Sequence, residues 1–344
     1  MSETLYEKLQ RIDPEFYTAD RVRSIEAQLD RIRELKRTRR AVLLAHNYQR
    51  PEIFEVADIT GDSLGLSLEA ADITDADVIV FCGVHFMAET AKIVNPSKTV
   101  LLPNLAAGCS LADTATAAAV EERIRELKKI YPDLAVVSYV NTTADVKALS
   151  DACCTSSNAV SVVRAIESQH ILFIPDQNLA RHVAQHVPEK AIIAWDGYCY
   201  VHHQITPDAV EAMRREVPGI KVLVHPECRD DVMKLADAAL STSGMIEYAQ
   251  HSPASDFLAV TECGLSDMLQ IQVPQKHFFR ACKICRFMKA ISLDDVEDSL
   301  RKLQFQITLS DSVRARAESA LRRMFDLTGA QRDNLALPHT VTDE

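Results

Sequence analysis

The chain has 344 residues, with 38 Lys and Arg against 49 Asp and Glu, giving a formal net charge of −11. Its 47% hydrophobic and 25% charged residues exclude disordered and fibrous classes, and its length predicts two or three domains. The acidic balance argues against nucleic-acid binding, and no apolar run approaches the roughly 20 residues that span a bilayer.

Residues 1–40 predict a polar amphipathic helix with Ile25, Leu29, Ile32 and Leu35 on one face. The opening stretch, MSETLYEKLQRIDPEF, lacks the apolar core of a signal peptide, so the expected location is the cytoplasm. From Ala41 short apolar runs alternate with helical stretches. The runs fall at 41–46, 77–83, 99–104, 134–141, 170–176, 191–197, 221–227 and 256–262, and MAETAKIV, AAAVEERIRELKKI and NLARHVAQHV are among the stretches between them. This alternation predicts an α/β fold whose strands are parallel and buried on both faces. From Ile284 onward the chain reads as mostly helical, and DNLALPHTVTDE closes it as a polar tail.

The sequence repeats itself. His46 has counterparts at Tyr139 and His225, which lie 93 and then 86 residues on, and Tyr48 matches Asn141 and Glu227 by the same offsets. Ser63, Ser156 and Thr242 follow suit, as do Gly83, Asp176 and Glu262. Cys109, Cys199 and Cys285 recur at similar spacings. Three copies of one small α/β unit are predicted. They cover 41–109, 110–199 and 200–285, between an N-terminal helical segment (1–40) and a C-terminal helical segment with tail (286–344).

Ligand groups in open parallel sheets gather at the carboxyl ends of strands, where residues i and i+2 share a face. His46 with Tyr48, Tyr139 with Asn141, and His225 with Glu227 would each present two polar groups there. One such pair reads equally as the polar start of a loop. Three in register, with two His and one Glu, are raw material for proton transfer near neutral pH. Ser63, Ser156 and Thr242 precede helical stretches, where a hydroxyl either caps the helix or helps its N–H groups bind carboxylate or phosphate.

Nine cysteines, an odd number, are a poor disulfide framework for a reducing compartment and point to metal, catalytic or buried thiols. Cys82, Cys153, Cys154, Cys228 and Cys263 read as buried small hydrophobes. Cys109, Cys199 and Cys285 occupy equivalent places, so their thiolates could converge on a zinc ion or an iron–sulfur cluster and leave one coordination position open. With nine glycines there is neither a G-x-G-x-x-G fingerprint nor a P-loop, so any phosphate would be held by hydroxyls and helix ends.

The ordered set AHNYQRPE, GDSLGLS, GVHFMAETAKI, LPNLAAGCSLAD, SYVNTTADVKA, CTSSNAV, WDGYCYVH, VHPEC, STSGM and CKICRFMK resembles the quinolinate synthase family from Ala41 to Met288. The resemblance implies three pseudo-symmetric three-layer αβα domains with parallel sheets around a central 4Fe–4S cluster. Cys109, Cys199 and Cys285 would be its ligands, with one iron open as a Lewis acid. The implied reaction condenses iminoaspartate with dihydroxyacetone phosphate to quinolinate in de novo NAD synthesis, with a functional link to L-aspartate oxidase as the source of iminoaspartate.

On this reading Glu227, beside His225, shuttles protons, and His46 and His225 hold oxygens of the triose. Tyr48 and Tyr139 cover the substrate, Asn141 orients a carboxylate, and Ser63, Ser156 and Thr242 bind carboxylates and phosphate. Two departures stand out: Arg286 replaces the proline that often follows the third cysteine, and Cys282 adds a C-x-x-C. Cys282 is expected to be a bystander, with a spare thiol or an oxidative partner of Cys285 as the alternatives. A zinc-dependent enzyme and a non-catalytic ligand-binding module of the same architecture are the rival readings.

Overall fold

The computed structural model describes residues 3–329, so the predicted polar tail from Asp333 lies outside the described residues. Twelve strands form three four-stranded sheets. The first contains β1 (Ala41–His46), β2 (Ile59–Gly61), β3 (Val78–Cys82) and β4 (Thr99–Leu101). The second contains β5 (Ala135–Tyr139), β6 (Ala152–Cys154), β7 (His170–Ile174) and β8 (Ala191–Ala194). The third contains β9 (Lys221–Val224), β10 (Ala238–Ala239), β11 (Asp256–Val260) and β12 (His277–Arg280). Each sheet has the same order, β2-β1-β3-β4, β6-β5-β7-β8 and β10-β9-β11-β12, and every pairing is parallel. With helices flanking each sheet, this is the expected three-layer α/β class, built three times.

The central strands are apolar throughout because both faces are covered: all five residues of β3 and of β5 are buried. One edge strand of each sheet (β2, β6 and β10) is placed by an aspartate that sequence reading overlooked. The Asp58 carboxylate accepts the Leu43 N–H at 2.7 Å, Asp151 that of Val136 at 2.8 Å and Asp237 that of Val222 at 2.9 Å. These residues obey the 93 and 86 offsets, so the repeat extends to the clasp between central and edge strands.

The predicted N-terminal helix is two helices, Leu5–Ile12 and Ala19–Arg39. Pro14 lies in the break, and Thr18 restarts the helix by accepting the Arg21 N–H. Val22, Ile25, Leu29 and Ile32 are buried, and Leu35 is only half-buried. The C-terminal region is helical over Leu293–Lys302 and Asp311–Thr328. The first of these packs beside Ala19–Arg39 over the first sheet, and the second buries Ala317, Ala320, Leu321 and Met324 over the second. Four strands went unpredicted: β2, β6 and β10 are only two or three residues long, and β12 is a short edge strand. Among the described residues no helix is long and apolar enough to cross a membrane.

Candidate active site

One pocket opens where the carboxyl ends of the three sheets face one another. It encloses about 640 Å³ of space free of protein atoms, part of it open to solvent. His46, Tyr48, Ser63, Cys109, Tyr139, Asn141, Ser156, Cys199, His225, Glu227, Thr242 and Cys285 all line it. The three units therefore bring all twelve candidate site residues named from sequence to one place.

The strand-end pairs have defined donors and acceptors. His46 Nδ1 accepts the Tyr48 N–H at 3.2 Å, and His225 Nδ1 accepts the Glu227 N–H at 3.3 Å. Neutral rings held this way carry their proton on Nε2. Burial drives both histidines down to about 3; at His225 the neighbouring His202 adds to the effect. Both are thus uncharged N–H donors at neutral pH. Glu227 is buried, which alone would raise its pKa, but the proximity of His202, with hydrogen bonds from His202 and Tyr139, outweighs burial and holds it at about 2. Its Oε1 accepts from Tyr139 Oη at 2.7 Å, and its Oε2 lies 2.9 Å from His202 Nδ1. Asn141 Oδ1 is buried without a partner among the described residues.

The hydroxyls are not spent as helix caps. Asp62 caps Ser63–Asp72 through the Gly65 N–H, and Ser241 caps Thr242–His251 through the Gly244 N–H, so Ser63 and Thr242 each stand one position inside. Thr242 Oγ1 accepts from Asn47 Nδ2 at 3.0 Å, leaving its own proton free to donate. Ser156 lies in the turn before Ala159–Ala165. Two helix N-termini, with their partial positive charge, therefore open on the pocket beside hydroxyl donors.

Cys109, Cys199 and Cys285 are free thiols on the loops leaving the last strand of each sheet. Each receives a backbone N–H from three residues ahead: Ala112 for Cys109, His202 for Cys199 and Met288 for Cys285. Burial raises all three, Cys109 to about 12, so without a nearby cation they hold their protons. Carboxylates fold two of these loops: Asp176 accepts the Cys199 N–H at 3.1 Å and Glu262 that of Cys285 at 3.0 Å. The Lys289 ammonium lies 3.9 Å from Glu262 and donates to the backbone oxygens of Tyr48 at 2.6 Å and Gln49 at 3.2 Å, tying the Cys285 loop to the end of β1. Gly264 leaves room for it, since a Cβ there would fall 2.4 Å from Lys289 Nζ.

One cysteine expectation needs correction. Cys263 and Cys282, taken as a buried thiol and a bystander, form a disulfide with Cα atoms 5.1 Å apart. The cause is register: β11 and β12 run parallel, their alignment continues to the Glu262–Lys283 bridge, and the two cysteines flank it. Cys282 is thus paired with Cys263 and not with Cys285. Cys82, Cys153, Cys154 and Cys228 are buried free thiols, as expected.

Sequence reading also missed His202 and Thr261. The His202 ring stacks on His225 with centroids 4.5 Å apart, and Thr261 Oγ1 lies 2.6 Å from Tyr48 Oη and 3.0 Å from His202 Nε2. His202 stands three residues after a predicted ligand, and Thr261 is the penultimate residue of a predicted strand, but neither belongs to the repeated set. Cys199 Sγ, a His202 ring nitrogen and a Glu227 carboxylate oxygen also lie within 4.8 Å of one another.

A family described as quinolinate synthetase A protein matches residues 30–326. The chain belongs to this family. It is 48% identical over 305 residues to a quinolinate synthase of Thermodesulfovibrio yellowstonii, covering 88% of this chain and 99% of the relative. It is 49% identical to the quinolinate synthase of Geobacter metallireducens, covering 85% and 95%. It is 47% identical to quinolinate synthase 1 of Methanosarcina acetivorans, covering 86% and 96%. The fold, the pocket and these relatives describe an enzyme of NAD biosynthesis.

Proposed function

We propose that the protein condenses iminoaspartate with dihydroxyacetone phosphate, giving quinolinate, phosphate and two waters. The observation that carries this reading is the convergence of three free thiols with neutral His donors and one ionised Glu in a single pocket. The thiols fit a 4Fe–4S cluster: each meets backbone N–H groups that favour a thiolate, and a bound cation would offset the burial that keeps them protonated. With Cys109, Cys199 and Cys285 as ligands, the open iron would supply a Lewis acid for a substrate oxygen.

The chain's own residues do the rest. His46 and His225 donate from Nε2 to oxygens of the triose, and being neutral they orient it without taking its protons. The unpartnered Asn141 Oδ1 accepts from an N–H or O–H of the substrate. Ser63, Ser156 and Thr242 donate to carboxylates and phosphate at the helix starts. Glu227 is the base and then the acid, its two oxygens held by Tyr139 and His202. Tyr48 and Tyr139 close over the ligand. L-Aspartate oxidase is the expected supplier of the unstable imine.

Anaerobically purified protein given both substrates should form quinolinate and contain about four irons per chain. Glu227→Gln should lower kcat by about 10²–10⁴-fold with iron content unchanged; near-normal activity would remove Glu227 from the reaction. The second reading is a single zinc ion on Cys199, His202 and Glu227, favoured by their mutual proximity. Colourless protein with one zinc and no iron would select it.

A further inference from the structure

We propose that Lys147 is a positioning residue that fixes Asn141 for the bound substrate by holding the backbone on both sides of it; this rests on the function proposed above and extends it. Lys147 ends the short helix Ala144–Lys147 and is fully buried. Its Nζ donates to the backbone oxygen of Val140 at 2.8 Å and to that of Thr142. These two carbonyls flank Asn141, which lines the pocket with its Oδ1 buried and unpartnered among the described residues. Lys147 Nζ also lies 5.5 Å from the centre of the Phe86 ring, itself part of the pocket wall.

The three equivalent strand-end residues are held in two different ways. Tyr48 is bonded through its hydroxyl to Thr261, and Glu227 through its two oxygens to Tyr139 and His202. Asn141 Oδ1 has no such anchor, so its direction is set by the backbone that carries it. By the repeat offsets the counterparts of Lys147 are Phe54 and Met233, and each likewise ends a four-residue helix, Pro51–Phe54 and Asp230–Met233. The lysine is therefore confined to the one unit whose strand-end residue lacks a side-chain anchor. The other two units build the same turn and helix with an apolar side chain at this place, so the turn itself does not require an amine.

Burying an amine is costly, and burial pushes the Lys147 pKa below its ordinary value. Two N–H bonds to the neighbours of Asn141 offset part of that cost. The surrounding segment is closed from both sides. Thr142 Oγ1 donates to the Tyr139 oxygen at 3.1 Å, and Glu89, from the first unit, accepts the Ala144 N–H at 2.8 Å. Lys147 completes this closure at the two peptide units next to Asn141. With those peptides fixed, the Asn141 amide is set in the pocket before substrate arrives, and less ordering has to be done on binding. Without the amine, two buried carbonyls lose a donor and the peptides on either side of Asn141 are free to turn.

The test reads Lys147→Met, which keeps the length of the side chain and removes its donors, against Asn141→Ala and the double variant. Asn141→Ala should raise KM for one of the two substrates. Lys147→Met should raise KM for that same substrate about tenfold, with kcat and the other KM within about threefold of wild type and iron content unchanged. The double variant should be no worse than Asn141→Ala, because Lys147 acts through that side chain. A lysine that only stabilised the fold would lower the urea midpoint without singling out one substrate. An unchanged KM in Lys147→Met, a rise for the other substrate, or losses that multiply in the double variant overturn the assignment and leave the proposed function standing. Asn141→Ala with both KM values unchanged overturns it as well. Absence of quinolinate from wild type overturns both the assignment and the function. Should Lys147→Met fail to fold, Lys147→Gln, which can still donate to one carbonyl, takes its place. It should raise the same KM by a smaller factor, and an unchanged KM or multiplying losses there overturn the assignment.

Discussion

The first and third units end their central strands in the same way and differ one strand over. At the ends of β1 and β9, His46 and His225 each accept the N–H two residues ahead, and burial keeps both neutral. At the ends of β3 and β11 the match breaks: the first unit has Gly83 where the third has Glu262. Glu262 takes the N–H of Gly264 at 2.6 Å and of Cys285 at 3.0 Å. A side chain at Gly83 would force Met87 and Phe81 to shift, since a Cβ there would fall 2.9 Å from Met87 Sδ and from a Phe81 ring carbon. There the backbone ties the loop, His85 N–H to Ala107 C=O at 2.7 Å. The third unit also has the Cys263–Cys282 disulfide where the first has Val84 and Pro103. One backbone frame thus aims a thiol into the pocket with or without a carboxylate or a disulfide, so both act as supports for a geometry the frame already provides.

That view separates ligand from support most sharply within one loop. Cys285→Ser should abolish iron binding and, with it, quinolinate formation. Cys282→Ser should keep most of its iron, because Cys282 is bonded to Cys263 and does not face the pocket. Iron analysis and the visible spectrum of anaerobically purified variants decide it, and the reverse pattern would exchange the two assignments.

A smaller effect tests the carboxylates. Asp176→Asn and Glu262→Gln each weaken a buried acceptor for a cysteine N–H, and such losses typically cost about 1–3 kcal/mol. Glu262→Gln also removes the charge facing Lys289. The expected outcome is a lower urea midpoint and several-fold faster iron loss to a chelator, with activity per iron unchanged. If activity per iron falls instead, these residues act in the chemistry and the distinction between frame and support fails.

The sequence made the fold class, the repeat and the pocket residues legible because periodic apolar runs and recurring polar landmarks are local signals. The edge strands β2, β6 and β10 were invisible, being too short to show alternation and placed by Asp58, Asp151 and Asp237 through contacts fifteen residues away. His202 and Thr261 were missed for a related reason: repetition finds what the units share, and these two belong to one unit only. The disulfide escaped because it depends on the register of two neighbouring strands, which cysteine spacing does not encode. Whether Ser63 and Thr242 were caps or ligand groups turned on a one-residue shift in helix start that composition leaves undecided.

The smallest expected effect concerns pH and tests the sameness of the first and third units. His46 and His225 have folded values of about 3 against an ordinary 6.5, so below pH 6.5 the unfolded chain takes up protons that the folded one refuses. Each therefore destabilises the fold as pH drops, by about 1.4 kcal/mol per pH unit, until the folded form protonates near pH 3. His182, held at about 4 by burial and His186, adds to the same slope. Glu227, at about 2 against 4.5, adds its loss only below pH 4.5. Urea midpoints between pH 7 and pH 5 should thus fall steadily. His46→Gln and His225→Gln should flatten the fall by equal amounts, and Glu227→Gln should leave that window's slope largely unchanged. Unequal flattening would mean that the two strand ends differ in their burial of charge despite their matching hydrogen bonds.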